Sequence, residues 1–313
     1  MRVSYCPDYY VPLPEGHPFP MQKFPALHQI LMRERLISAE DVSEPRPAAW
    51  EDLLLAHTPA YLDSLRRGTL DRAAERRLGL PWSERLVRRS RMAVQGTINA
   101  ARMAIADGIA ANLAGGTHHA FADHGEGYCV LNDVGVAVRV LQRDGDIRRA
   151  LVIDLDVHQG NGTAAIFAGD PDVYTFSIHG ERNYPWHKAQ SALDVGLEDH
   201  ATDDIYLSVL ETYLPRVFEE AQPDLVLYLA GVDVVEGDRF GRLALTREGL
   251  HARDRYVLEV VRQRNMPIVL LLAGGYARTP ELTADLHATV HREARRVFGQ
   301  KLPSVRRGGL YDQ

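Results

Sequence analysis

The sequence predicts an α/β fold: one domain over residues 1–313 with a mostly parallel central sheet. Three observations carry this prediction. Short, continuously apolar runs alternate with longer stretches of helical periodicity, the connections are short, and no linker or internal repeat divides the chain. With 45% hydrophobic and 25% charged residues, the chain has material for one large core.

The strands are read, in order, at "RVSYC" (2–6), "DLLLA" (52–56), "ALVIDLDV" (150–157), "DVYTFSI" (172–178), "DLVLYLAG" (224–231) and "PIVLLLAGG" (267–275). Because these runs are apolar without alternation, they predict burial on both faces, as in a parallel sheet. Helices are predicted over 58–67, 83–108, 131–143, 202–220, 246–264 and 279–298. Three carry start signals: Ser83 ahead of Glu84, Thr246 ahead of Glu248, and Thr279 with Pro280 at the first helical position.

A formal charge of −6 and a pI near 6.1 argue against a nucleic-acid partner. Arg66, Arg67, Arg76, Arg77, Arg88 and Arg89 form one local basic region, read as a solvated helix face. Two cysteines, Cys6 and Cys129, make neither a disulfide framework nor a thiolate zinc site, which fits a reducing compartment and predicts a cytoplasmic location. The start "MRVSYCPDYY" lacks the charge and apolar pattern of a signal peptide, and runs such as "PIVLLLAGGYA" are too short to span a bilayer, so no membrane partner is predicted. Composition does not specify an oligomeric state.

Ligands of parallel α/β sheets gather at the carboxyl ends of strands. Here those ends carry Asp154, Asp156 and His158 in "DLDVHQGNG" (154–162), then Gly231-Val232-Asp233, and Gly274-Gly275-Tyr276. A further cluster, Gly115-Gly116-Thr117-His118-His119, follows the short run "IAANLA". A single Asp at such a place ordinarily caps a helix or satisfies loop amides. The combination is harder to reduce to unrelated caps.

Two readings of the 154–162 stretch compete. Gly160 to Ala165 satisfies the G-x-G-x-x-A form of a dinucleotide fingerprint and follows a strand. Yet Asp154 and Asp156 would then face a pyrophosphate with no basic residue in the segment to offset them. The second reading is a metal. Residues two apart in an extended chain point to the same side, so Asp156 and His158 can converge on one cation, with Asp233 as third ligand. Two carboxylates and one imidazole leave a position open, as catalytic zinc sites do. Asp154 is then free to orient a histidine or to hold a second, harder cation.

The motifs "GGTHHAFADHGEGYCVLND" (115–133), "IDLDVHQGNGT" (153–163), "AGVDVVEGDRFGRLALT" (230–246) and "LAGGY" (272–276) resemble, in this order, those of the zinc-dependent histone deacetylases, which share their fold with the arginases. The resemblance spans most of the chain. It is closest to class IV and its bacterial relatives, judging from "DVHQGNG", "EGDRFG" and "HPFPMQK" (17–23). It implies a three-layer α/β/α domain with zinc held by Asp156, His158 and Asp233. His119 would be the general base toward the attacking water, and His118 a second imidazole supporting transition-state charge. Asp154 matches the carboxylate partner of the first histidine. Asn161 stands where some branches have an aspartate, which implies a less basic His119. Tyr276 matches the tyrosine that donates to the oxyanion.

The resemblance also implies an acyl-lysine tunnel lined by Gly127, Tyr128, Tyr184, Pro185 and Trp186, with the Gly127 carbonyl accepting the substrate N–H. Tyr128 replaces the usual Phe, and Trp186 stands where relatives often have Gly. A structural potassium ion is implied at Asp154, Ser177 and the carbonyls of His158 and Ile178. Lys23 falls where relatives place a basic residue near the acyl exit path, although a lone lysine is more often at the surface. The remaining histidines, including His57, His124, His179, His287 and His291, are expected to be surface or satisfied core residues. Cys129 is expected to be buried.

The function expected is therefore zinc-dependent hydrolysis of acyl-lysine amides, acetyl or longer, in proteins or peptides, with ferrous iron as the alternative metal. Acetylpolyamines or other small acetylamines are the alternative substrates. A non-catalytic binder of acyl-lysine would require none of His118, His119 and Tyr276. Two-metal arginase chemistry needs bridging carboxylates that the sequence does not offer.

Overall fold

The computed structural model describes residues 1–299; the predicted domain's last stretch, 300–313, lies outside the described residues. Eight strands form a single sheet in the order β2-β1-β3-β8-β7-β4-β5-β6, where β1 is Val3–Ser4, β2 Val42–Ser43, β3 Ile109–Asn112, β4 Ala150–Asp154, β5 Val173–Gly180, β6 Leu193–Leu197, β7 Leu225–Leu229 and β8 Ile268–Leu271. Every neighbouring pair is parallel. The central strands β3, β4, β7 and β8 are buried at every position, which is why they read as unbroken apolar runs.

Besides two short 3-10 turns, the described residues form ten α-helices: α1 (Lys23–Arg33), α2 (Trp50–Leu53), α3 (Pro59–Arg67), α4 (Arg72–Leu78), α5 (Glu84–Asp107), α6 (Asp133–Asp144), α7 (Asn161–Ile166), α8 (Asp203–Ala221), α9 (Arg247–Gln263) and α10 (Pro280–Phe298). Alternate strand residues point to opposite faces. Val152, Leu227, Leu229 and Val269 pack with α5 and α6 on one face. Leu151, Ile153, Val226 and Leu270 face the other, where α1, α10, α9 and α8 lie in a row. The result is a three-layer α/β/α arrangement. None of these helices is long and apolar enough to cross a membrane.

The predicted start signals are present as hydrogen bonds. Ser83 accepts from Leu86 N–H, Thr246 from Gly249 N–H and Thr279 from Leu282 N–H, each satisfying one amide of a first turn. One strand prediction fails. "DLLLA" (52–56) is the end of α2 and a turn, with Leu53 buried and Leu54 47% exposed. A five-residue apolar run cannot by itself distinguish strand from helix. β3, inside "IAANLA", and the edge strands β2 and β6 lie outside the runs predicted as strands. β6 alternates partly buried with exposed positions until Leu197, as an edge strand does.

Candidate active site

The carboxyl ends of β3, β4, β7 and β8 converge, and each delivers part of one site. After β4 the chain turns back through Leu155 to Gly160, and its carboxylates bind local amides: Asp154 Oδ1 accepts from Asp156 N–H (3.2 Å) and Asp156 Oδ1 from His158 N–H (2.9 Å). Asp233, after β7, accepts from Val157 N–H through Oδ1 (2.9 Å), and Asp156 Oδ2 accepts from Gly274 N–H after β8 (2.6 Å). These bonds lock three strand-end loops together. A Cβ at Gly274 would fall 2.0 Å from Asp233 Oδ2 and 2.6 Å from Asp156 Oδ2, so a glycine is required there.

Asp156, His158 and Asp233 each present a ligand atom within 4.8 Å of the other two, and all three are buried. His158 Nδ1 lies 3.1 Å from Asp156 Oδ1 and 3.2 Å from Asp233 Oδ2. Asp233 Oδ2 has no hydrogen-bond partner, a costly state for a buried carboxylate oxygen. Burial alone would lower the His158 pKa, yet the two carboxylates outweigh it and push it up to about 10. The trio thus attracts positive charge, and its donor set suits a divalent cation with one or more positions left open.

The two adjacent histidines are oriented differently. His118 Nδ1 donates to Asp154 Oδ2 at 2.7 Å; burial works against its charged form, but Asp154 and Asp156 overcome that and raise its pKa to about 9. His119 Nδ1 lies 2.7 Å from Asn161 Oδ1. Burial, then the charges of His118 and His158, hold its pKa well below the ordinary value. The Asn161 amide is itself fixed, because its Nδ2 donates to Glu126 Oε1 (2.7 Å), which also accepts from Tyr184 O–H (2.5 Å). With Asn161 Oδ1 toward the ring, His119 carries its proton on Nδ1 and leaves Nε2 as a lone pair. Tyr184 stands edge-on to His119, with ring centroids 5.0 Å apart.

Tyr276 follows β8. Its backbone N–H donates to Asp238 (2.7 Å), which also accepts from Phe240 and Gly241 N–H and so ties the loop after β7 to it. Burial first, then Asp233 and Asp156, raise its phenol well above the ordinary pKa, so it remains a donor. Tyr276, His119 and His158 line the floor of an open cavity of about 540 Å³, with Gly127, Tyr128, Tyr184 and Trp186 on its walls. Trp186 is 77% exposed and stands at the rim; Pro185 is buried and is not among the lining residues. Ser177 lies beside Asp154 in the β4–β5 register, its hydroxyl 2.8 Å from His179 Nδ1, and Ile178 is buried next to it.

The fingerprint glycines serve the histidines instead of a pyrophosphate: a Cβ at Gly162 would strike the Ala120 carbonyl at 2.3 Å. Two basic residues expected at the surface are buried. Lys23 donates to the Ala273 carbonyl at 3.0 Å, and burial lowers its pKa to about 8. Arg89 donates to the Tyr9 carbonyl and sits 4.7 Å from the Phe24 ring. Both border a chamber of about 30 Å³ behind His118 and Tyr276. His287 and His291 are buried with neither ring nitrogen hydrogen-bonded, so they are core residues without the expected partners.

Three residues that matter here carry little local signal in the sequence. Glu126 sits between two glycines in "HGEGYC", which marked it only weakly. Asp133 accepts from Gly116 N–H and from the amide and hydroxyl of Thr117, shaping the His118 loop. Arg253 on α9 is fully buried and donates to the carbonyls of Leu155 (3.1 Å) and Gly231 (2.7 Å), clamping the loops that carry Asp156 and Asp233.

The strand ends of this parallel α/β sheet thus gather three buried carboxylates, Asp154, Asp156 and Asp233, and three imidazoles, a donor set that could hold a metal ion. The histone deacetylase domain family matches residues 17–292, and the chain belongs to that family. It is 46% identical over 298 residues to an uncharacterized protein of Picosynechococcus sp., covering 95% of this chain and 99% of that one. It is 33% identical over 291 residues to histone deacetylase 2 of Arabidopsis thaliana (89% and 75% covered), and 28% identical to the acetoin utilization protein AcuC of Staphylococcus aureus (84% and 73%). Among solved structures, an HDAC homolog complexed with SAHA aligns with a TM-score of 0.79 at 25% identity, over 97% of this chain and 85% of that chain. Family and fold are those of deacetylases.

Proposed function

We propose that the chain, as a single catalytic domain, is a zinc-dependent amidohydrolase that removes acetyl or longer acyl groups from lysine side chains. The observation that carries this reading is the convergence of Asp156, His158 and Asp233, buried, with Asp233 Oδ2 free of any hydrogen bond and facing His158 Nδ1, beside the oriented His119 and Tyr276. Those three side chains would hold the ion, which when bound supplies a polarised carbonyl and a more acidic water.

The protein's own groups do the rest. His119, with Nε2 free, accepts the proton of the attacking water and returns one to the departing amine. Tyr276 donates its hydroxyl proton to the carbonyl oxygen as that oxygen gains charge. His118, whose Nδ1 is oriented by Asp154, sets a second imidazole beside the same point to support the developing charge. Gly127 and Tyr128 shape the channel, with the Gly127 carbonyl as acceptor for the scissile N–H. Ferrous iron suits the same donors. Asp154 and Ser177, with the carbonyls of His158 and Ile178, offer the oxygen ligands that a potassium ion prefers.

The test is turnover of acyl-lysine peptides from acetyl to myristoyl, with and without chelator. Amine release that chelation abolishes and zinc restores is expected; release unaffected by chelation contradicts the reading.

A further inference from the structure

We propose that the mouth of this site selects acyl-lysine in an acidic peptide, one whose neighbouring residues carry carboxylates. This rests on the amidohydrolase reading and names the substrate class of that same site.

The chain as a whole is acidic, with a formal charge of −6, yet no aspartate or glutamate lines the open cavity. Five arginines do: Arg76, Arg77, Arg182, Arg239 and Arg242. They come from three separate segments, the end of α4, the loop after β5 and the loop after β7, and all five are exposed. Arg182 and Arg242 are partly compensated by Glu198 and Asp199, each at 3.3 Å. Arg76, Arg77 and Arg239 make no ion pair among the described residues. Acids of the same segments are engaged elsewhere: Glu126 with Asn161 and Tyr184, Asp238 with three backbone amides, and the exposed Asp71 with the first turn of α4, while Glu181, beside Arg182, is exposed but does not line the cavity.

A cleft lined by one sign of charge focuses its field and raises the local concentration of the opposite sign. The reacting residue does not feel this strongly, because acylation removes the charge of a lysine. Its neighbours do. Guanidinium forks pair bidentately with carboxylates, and positive groups on three segments face anionic side chains on more than one flank of the acylated residue. An acetylpolyamine, which keeps ammonium groups beyond its amide, meets like charge at the same place, as does a basic tail. Exposed Trp186 and Phe240 add apolar contact for the peptide between those charges.

The experiment compares one acetyl-lysine peptide with glutamate, glutamine or lysine flanks, by turnover and by fluorescence-anisotropy binding, on the full chain loaded with zinc. At low ionic strength both readouts are expected to favour the glutamate peptide over the lysine peptide by about tenfold or more, narrowing as salt is added. In R239E and in R77E the ratio between the two peptides is expected to fall or invert, and in R77K to persist. Using the ratio within each variant cancels any general loss of activity. Equal or reversed preference in the unaltered chain overturns the proposal, as does absence of binding to every peptide. Charge-selective binding without turnover of any peptide upholds the rim and refutes the amidohydrolase reading.

Discussion

His119 and Asn161 are joined by a 2.7 Å contact between Nδ1 and Oδ1, and Glu126 fixes the direction of that amide from behind. The base is thus set by a neutral partner, with a carboxylate one residue further out. Replacing Asn161→Asp puts negative charge against the ring and favours the imidazolium. The acid limb of the kcat/KM against pH profile is expected to move to higher pH. An unmoved limb would show that His119 is not the group titrating.

Tyr276 stays protonated beside two carboxylates, so its role is donation. Tyr276→Phe is expected to cost about 3 to 4 kcal/mol of transition-state stabilisation, read as a fall of about two to three orders of magnitude in kcat, with bound zinc unchanged. Full activity in the variant would remove the tyrosine from the reaction.

Arg253 links the Leu155 and Gly231 carbonyls and pairs with the buried Asp254 at 2.8 Å. Arg253→Ala removes the guanidinium from both carbonyls and leaves the buried Asp254 carboxylate with only the Tyr228 hydroxyl, at 2.6 Å, and no counter-charge. Equilibrium urea unfolding is expected to register a loss of about 3 to 5 kcal/mol, accompanied by weaker zinc binding. Stability within about 0.5 kcal/mol of the parent would contradict the clamp.

Acid is expected to destabilise the fold through buried neutral histidines. Burial depresses the His57 pKa to about 4 and that of His291 to about 3, from 6.5. Their neutral forms therefore fold without penalty above pH 6.5, and stability is lost as pH falls from there toward the folded values, where the unfolded chain binds the extra protons. His291 alone accounts for about 2 kcal/mol at pH 5. His291→Leu removes a ring with no partner at either nitrogen, so the urea midpoint is expected to rise more at pH 5 than at pH 7.5. An equal change at both values would contradict the linkage.

Much of the site was legible because it is local in sequence. Asp154, Asp156 and His158 lie within five residues at one strand end, and His118 and His119 are adjacent, so closeness along the chain grouped them. The alternation expected to aim Asp156 and His158 together does not hold, because β4 ends at Asp154 and a bend at 156–158, closed by the Asp156 Oδ1 bond to His158 N–H, brings them to the same place. The caps of α5, α9 and α10 were legible for the same reason. Residues that act across long separations were not. Arg253 reaches carbonyls 98 and 22 positions away, and nothing in "ARDRY" distinguishes it from the charged face of an amphipathic helix. Arg89 and Lys23 are buried only because α1 and α5 close over the chamber they border. The arginines of the mouth, scattered from 76 to 242, become one feature only when three loops meet.

The most direct test is metal stoichiometry by plasma mass spectrometry on the purified chain, with the ion located by anomalous diffraction. One zinc per chain is predicted, within ligating distance of Asp156, His158 and Asp233, and lost in Asp233→Ala and His158→Ala while both variants stay folded. Stoichiometric zinc in folded variants lacking either side chain, or no divalent ion at that point in the parent, would contradict the account.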